Sequence, residues 1–209
     1  IWIFTKQHAF AYDPANRKFK TSSFNCRKEN LLVSEVIEDN SENLWIACYN
    51  DGLYRFNKKS GENTRLDSKK FISSLPTSLC FDSIDNKLWI GTFDYGLLRW
   101  NCTTNESEFF SADRNDPQAL RASLIMDIAK DRNNTIWIAT YAGGISYLKR
   151  RTDQKVQFNT IGLEQKLPEN NIYALAVDRK GFIWASSFKG LTKIAPSGEL
   201  ITNYNRNNG

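Results

Sequence analysis

The sequence predicts an all-β protein made of repeated four-stranded antiparallel sheets, and three observations lead to that fold class. A tryptophan-containing segment recurs with a nearly constant period. Each period contains several short apolar runs separated by polar turns, and none of these runs has the apolar spacing of a helix. The 209 residues are 41% hydrophobic and 13% aromatic, so the chain can bury a substantial core.

The recurring segment is clearest around four of the tryptophans. It reads NLWIACYNDGLYRFN from Asn43, KLWIGTFDYGLLRWN from Lys87, TIWIATYAGGISYLK from Thr135 and FIWASSFKGLTKIAP from Phe182, and a related stretch opens the chain. The repeated tryptophans lie 43, 44, 48 and 47 residues apart, at Trp2, Trp45, Trp89, Trp137 and Trp184. Five copies in phase predict five structural units of one kind.

Each complete unit predicts four strands. An apolar run comes first, as in residues 124–129, and a polar turn leads to the tryptophan strand. A short connection ending in glycine then leads to a third strand, and a more polar segment closes the unit. The tryptophan is expected to fill the wedge between neighbouring units. The glycines are expected to provide positive φ or close packing at Gly52, Gly96, Gly144 and Gly190.

The apolar pattern selects the architecture. The first and second strands are nearly continuously apolar, which predicts sheets covered on both faces. Repeated antiparallel sheets of this kind are satisfied by stacking around an axis as the blades of a β-propeller. We expect four complete blades and one partial blade, with approximate units 1–31, 32–75, 76–121, 122–169 and 170–209. The chain is therefore interpreted as an arc of a longer array.

The residue types argue against an enzyme or a metal site. The one histidine, His8, lies in the incomplete first unit, so no catalytic residues are predicted. The four cysteines form no CxxC pair, and their spacing leaves thiols and disulfides both open, at Cys26, Cys48, Cys80 and Cys102. Aspartates in the turn before the tryptophan strand suit hydrogen bonding to their own backbone, at Asp39, Asp131 and Asp178. No metal and no cofactor is expected.

Charge is a weak guide to partners. The net charge of +5 comes from scattered Lys and Arg, which predicts solvated loops and a mild attraction for anionic ligands. We expect no nucleic-acid partner.

A ligand-binding face is the remaining chemistry. In a propeller, the connections between the second and third strands open on the same face as the segments that lead into each blade. The rings four residues after each tryptophan are expected to cap the blade core, at Tyr49, Phe93, Tyr141 and Phe188. The positions around them vary, as binding residues on a fixed scaffold would. The predicted ligand-binding residues are Asn50, Asp51, Asp94, Tyr95, Tyr141, Lys189, Arg121 and Asn171.

The segment from Leu167 to Leu191 resembles a known repeat. Its pattern of Leu167-Pro168, Ile172, Asp178, Gly181, Trp184 and Gly190-Leu191 is similar to the two-component regulator propeller repeat. The resemblance implies an arc of a seven-bladed propeller in the sensor region of a Bacteroidetes hybrid two-component histidine kinase. It further implies a periplasmic location, an oligosaccharide ligand, and further blades, membrane and kinase domains elsewhere in the protein.

Two function classes remain open at this point. The first is a ligand-sensing module that binds an oligosaccharide, with an anionic glycan to be tested first. The second is a structural or protein-interaction propeller without a small ligand, for example one that docks a partner or forms a homodimer.

Overall fold

A computed structural model describes residues 1–5, 9–22, 24, 32–49, 51–66, 75–148 and 156–207. These residues form short strands, as the repeat predicts. The strands are β1 (Trp2–Phe4), β2 (Ala9–Asp13), β3 (Lys18–Thr21), β4 (Val33–Glu38), β5 (Asn43–Cys48), β6 (Gly52–Asn57), β7 (Asn63–Arg65), β8 (Pro76–Asp82), β9 (Lys87–Thr92), β10 (Leu97–Asn101), β11 (Ser107–Phe110), β12 (Ile125–Lys130), β13 (Ile136–Thr140), β14 (Gly144–Leu148), β15 (Asn159–Ile161), β16 (Ala174–Val177), β17 (Ile183–Ser187), β18 (Gly190–Ile194) and β19 (Leu200–Tyr204).

The strands pair into five antiparallel sheets, each in chain order. Blade 1 is β1-β2-β3, and blades 2 to 5 are β4 to β7, β8 to β11, β12 to β15 and β16 to β19. The all-β propeller prediction is confirmed, with four four-stranded blades and one three-stranded blade among the described residues. The unit boundaries and the seven-bladed ring stay predictions.

The second strands are the most buried, and three of the first strands depart from the prediction. Strand β13 is buried throughout, and β5 and β9 are buried except at their first residue. Strands β4, β12 and β16 are instead only partly buried. The first strands β4, β8, β12 and β16 contact one another in turn and so lie nearest the axis. Strand β8 has a first strand on each side and is mostly buried, whereas β4 and β16 have one on one side only among the described residues.

The tryptophans fill the wedges between blades, as predicted. Trp45 of blade 2 packs in one cluster with Leu79 and Leu88 of blade 3. Trp89 and Trp137 pack in the same way against the blade that follows each of them. These three side chains are at most 3% exposed. Apolar burial between successive sheets therefore holds the array together.

Glycines mark the start of the third strands. Gly52, Gly96, Gly144 and Gly190 all have positive φ, between 75° and 115°. At Gly96, a β-carbon would also overlap the carbonyl oxygen of Phe110 at the end of the fourth strand. Both reasons proposed for these glycines are therefore confirmed.

The turn aspartates bond to their own backbone, as predicted. One carboxylate oxygen of Asp39 accepts from the N–H groups of Ser41 and Asn43, at 2.8 and 2.9 Å. Asp131 and Asp178 do the same in their turns. A single 3-10 turn, Leu163–Gln165, precedes blade 5. None of the helical structure in the described ranges is long and apolar enough to cross a membrane.

Candidate functional site

Backbone hydrogen bonds gather the predicted loops on one face. The connections between second and third strands bond to the segment that leads into their own blade, for example Tyr141 N–H to Leu124 O at 3.0 Å. They also bond to the leading segment of the next blade, as in Gly96 N–H to Ser123 O and Gly144 N–H to Asn170 O, both at 2.9 Å. This surface, the loop face, consists of residues 49, 51, 93–95, 121–124, 141–143, 169–173 and 188–189.

Three of the four rings expected to cap the blade core are exposed instead. The exposed fraction is 44% for Phe93, 42% for Tyr141 and 83% for Phe188, so the capping prediction is wrong for them. Each ring follows the last residue of its second strand, where the polypeptide has already left the sheet. The hydroxyl one residue earlier closes the turn beneath the ring: Thr140 Oγ1 donates to Gly144 O at 2.8 Å.

The rings meet across blade boundaries. Tyr49 of blade 2 and Phe93 of blade 3 form an edge-to-face pair with centroids 6.1 Å apart. A second group, the ring cluster, consists of Tyr141 of blade 4 with Tyr173 and Phe188 of blade 5. Its centroid distances are 6.3 Å between Tyr141 and Tyr173 and 4.9 Å between Tyr173 and Phe188. Such pairs leave ring faces and edges open to a ligand.

Tyr173 was absent from the predicted residues. Met126 occupies the same place in blade 4, so the repeat gives no aromatic signal there. The signal that could have found it is the departure from the repeat, an aromatic residue next to Ile172 in the leading segment. Desolvation, Tyr141 and the carboxylate of Glu169 raise the pKa of Tyr173, so its hydroxyl stays protonated at neutral pH.

Four predicted residues lie free on the loop face. Asp94, Tyr95, Tyr141 and Lys189 are exposed. Arg121 is half-buried, and its guanidinium donates to Arg114 O at 3.1 Å. These side chains can therefore meet a ligand without any rearrangement of the blades.

The other predicted residues are placed differently. The Asp51 side chain is buried, because its carboxylate accepts from Tyr54 Oη at 2.6 Å and lies 3.6 Å from Arg65 Nε. The Asn171 side-chain amide is bonded at both ends within the protein, to Ala142 and Glu169. Asn50 and His8 lie outside the described residues.

The described residues supply no metal-binding group. No cluster of three or more His, Cys, Asp or Glu side chains is placed to hold an ion within these ranges. Cys80 and Cys102 are free thiols, and burial raises the pKa of both to about 12. Protonated thiols are weak nucleophiles and poor metal ligands. The arrangement on the loop face suits binding by stacking and hydrogen bonding.

Comparison with known proteins identifies the repeat. The profile of the two-component regulator propeller family matches residues 119–142 and 166–189. Among curated proteins, histidine kinase P4 of Formosa agariphila is 26% identical over 200 residues. The alignment covers 89% of this chain and 14% of that kinase.

Solved structures support the same fold. The extracellular domain of the putative one component system BT4673 of B. thetaiotaomicron matches with 24% identity and a TM-score of 0.61, over 96% of this chain and 27% of that one. The extracellular domain of the putative hybrid two component system BT3049 of the same organism matches with 22% identity and a TM-score of 0.66, over 90% of this chain and 26% of that one. The chain thus spans about a quarter of these domains.

Proposed function

Residues 119–142 and 166–189 match the two-component regulator propeller family, and from that similarity we propose that the chain is part of an extracytoplasmic sensor whose loop face binds an oligosaccharide. Its relatives include extracellular domains of two-component systems and a histidine kinase, which supports the role of a sensor module. The signal would be passed to other domains of the same protein. We propose a periplasmic location, as expected for such a sensor.

The observation that carries the proposal is the ring cluster. Three aromatic side chains from two blades meet on the loop face, and two of them are strongly exposed. Monomeric proteins rarely expose contiguous apolar groups without an interaction to serve. A sugar has an apolar ring face that stacks on such rings and hydroxyls that bond at their edges.

Charged groups of both signs lie on the loop face, so neutral and anionic glycans both belong in the test. Lys189 and Arg121 contribute positive charge, and Asp94 and Glu169 contribute negative charge nearby. Among the described residues, no metal cluster is built at this face and the Cys80 and Cys102 thiols are protonated, so we propose binding without catalysis. The positive net charge of the chain makes an anionic glycan the first to test.

Thermal unfolding of the full chain with defined oligosaccharides tests the proposal. The panel contains cellohexaose, mannohexaose and a chondroitin sulfate hexasaccharide. A ligand at a hundredfold excess over its Kd stabilises the folded state by about 2.7 kcal/mol. For a protein of this size that corresponds to a rise in Tm of roughly 5–10 °C.

Two variants make the test site-specific. Phe188→Ala should abolish the ligand-dependent rise, because Phe188 is the most exposed ring of the cluster. Phe19→Ala, which removes a ring 64% exposed on blade 1, should respond like the wild type. No shift with any member of the panel, or an equal shift in Phe188→Ala, would overturn the proposal.

A further inference from the structure

Ala142 has an unusual backbone conformation at the ring cluster. Its φ is 69°, a left-handed value that residues with a β-carbon seldom adopt. The Ala142 N–H donates to Asn171 Oδ1 at 2.9 Å. This hydrogen bond crosses from blade 4 to the segment leading into blade 5, and it holds the residue that directly follows Tyr141.

The other end of the Asn171 amide is also engaged. Its Nδ2 donates to Glu169 Oε1 at 3.3 Å. A flipped amide would turn Nδ2 towards the Ala142 N–H and Oδ1 towards the carboxylate, and both contacts would then be repulsive. Glu169 therefore fixes the orientation of the amide, and Asn171 in turn fixes the Ala142 backbone.

The other hydrogen bonds that join the two segments link backbone atoms. Gly144 N–H donates to Asn170 O at 2.9 Å, and Ile172 N–H donates to Thr140 O at 3.1 Å. These bonds join the ends of the connection to blade 5. The Asn171 side chain holds the middle of this connection, at Ala142, the residue that follows Tyr141.

The arrangement differs from that at the boundary between blades 3 and 4. Leu124 stands in blade 4 where Asn171 stands in blade 5, and a leucine side chain cannot accept a hydrogen bond. The corresponding connection of blade 3 is held by a hydrogen bond within the same blade, since Thr92 Oγ1 accepts from Tyr95 N–H at 3.1 Å. The side-chain link across blades therefore coincides with the ring cluster.

We propose that Glu169, Asn171 and Ala142 form a positioning relay that presets the ring cluster for its ligand. Asn171 acts through Tyr141 and is a positioning residue rather than a ligand contact, while Tyr173 joins Tyr141 and Phe188 as a contact residue. The inference rests on the proposed function for the ligand itself, whereas the relay is a property of the free protein. Preset rings lose little conformational entropy when a ligand binds.

Amide hydrogen exchange tests the relay without any ligand. In Asn171→Ala, the exchange rate of the Ala142 amide should rise about tenfold or more, because its acceptor is gone. The Gly144 amide, which bonds to a backbone oxygen, should keep its rate. Asn170→Ala is the matched control, since Asn170 Oδ1 accepts from Leu163 N–H and leaves the Ala142 bond intact. An unchanged Ala142 rate in Asn171→Ala would overturn the relay.

A binding measurement separates positioning from folding. Using whichever hexasaccharide of the panel stabilises the wild type, Asn171→Ala should raise Kd about tenfold while the Tm of the free protein changes little. Asn171→Asp combined with Glu169→Gln keeps the oxygen that accepts from Ala142 and replaces the repelling carboxylate by an amide donor, so this double variant should restore part of the affinity. If the Tm of the free protein falls enough to account for the rise in Kd, or if the double variant does not restore affinity, Asn171 has a merely structural role. If no sugar binds, the proposed function fails, and the exchange result still decides the relay.

Discussion

The indole nitrogen of Trp137 donates a hydrogen bond to the Asp131 carboxylate at 3.0 Å. The other carboxylate oxygen accepts from the N–H groups of Asn133 and Thr135, at 2.8 and 2.9 Å. One aspartate thus ties the hairpin turn to the side chain that fills the wedge between blades. The same bond joins Trp45 to Asp39 and Trp184 to Asp178.

Blade 3 departs from this arrangement. Its first hairpin is one residue longer, so Ser83 stands six residues before Trp89 where the other blades have aspartate. The Trp89 indole nitrogen is buried and has no hydrogen-bond partner in the described part of the chain. The wedge at Trp89 therefore depends on packing and on the Arg99 guanidinium, which lies 5.3 Å from the centroid of the ring.

Asp131→Ala should destabilise the protein strongly. The change removes a charged acceptor and leaves the indole nitrogen of a fully buried tryptophan unpaired, which costs about 2 kcal/mol. Urea unfolding of the full chain measures the loss. Ser83→Ala is the matched control at the same repeat position and should change the stability by less than about 0.5 kcal/mol. Equal losses in the two variants would show that the Trp137 bond contributes nothing.

Acid should weaken the hydrogen bond between Asp178 and Trp184. Hydrogen bonding to Trp184 and to backbone N–H groups lowers the pKa of Asp178. A lowered folded-state pKa gives stability that is present above the unfolded value of about 3.9 and is lost as the pH falls through the folded value. The Tm of the wild type should therefore fall between pH 5 and pH 3, and Asp178→Asn should show a shallower fall. Parallel curves for the two proteins would contradict this assignment.

The blades and their order could be predicted because their determinants are local and repeated. A wedge tryptophan and a glycine with positive φ recur in each complete blade, so the period shows both the strands and their turns. The low burial of three of the first strands could not be predicted in this way. Their exposure depends on their position in the array, which no single repeat encodes.

The candidate site was only partly predictable for a related reason. Its residues come from the positions where the repeats differ, so the sequence marks them as variable without showing what they touch. Asp51 and Asn171 were both predicted as ligand contacts. Their side-chain oxygens instead accept hydrogen bonds from Tyr54 and Ala142. Tyr173 was missed, because its ring contacts join residues that lie 32 and 15 positions away in the sequence, and one of them, Tyr141, belongs to another blade.

Gly96→Ala should lower the free energy of unfolding by more than the strain of a left-handed backbone alone. Gly96 and Gly181 have nearly the same φ, 89° and 87°. A β-carbon at Gly181 would lie 3.8 Å from its nearest neighbour, in Pro196, whereas one at Gly96 would overlap the carbonyl of Phe110. Gly181→Ala should therefore lose about 1 kcal/mol from its φ, and Gly96→Ala at least about 2 kcal/mol more. Urea unfolding distinguishes them, and similar losses would contradict the packing argument.

Glu35 lies near the axis, and at neutral pH it should make the protein less stable than glutamine at the same position would. Burial raises the pKa of Glu35, and the charge of Asp127 adds to this, although the Leu79 N–H bonds to its carboxylate. A raised folded-state pKa gives stability that is present below the unfolded value of about 4.3 and is lost as the pH rises through the folded value. Glu35→Gln keeps an acceptor for Leu79 without the charge, so its Tm should exceed that of the wild type at pH 7 and approach it at pH 4. Glu38→Gln, which removes an exposed partner of Lys58 from the same strand, should show no such gain. A lower Tm for Glu35→Gln at pH 7 would mean that the negative charge itself stabilises the contact between blades 2 and 3.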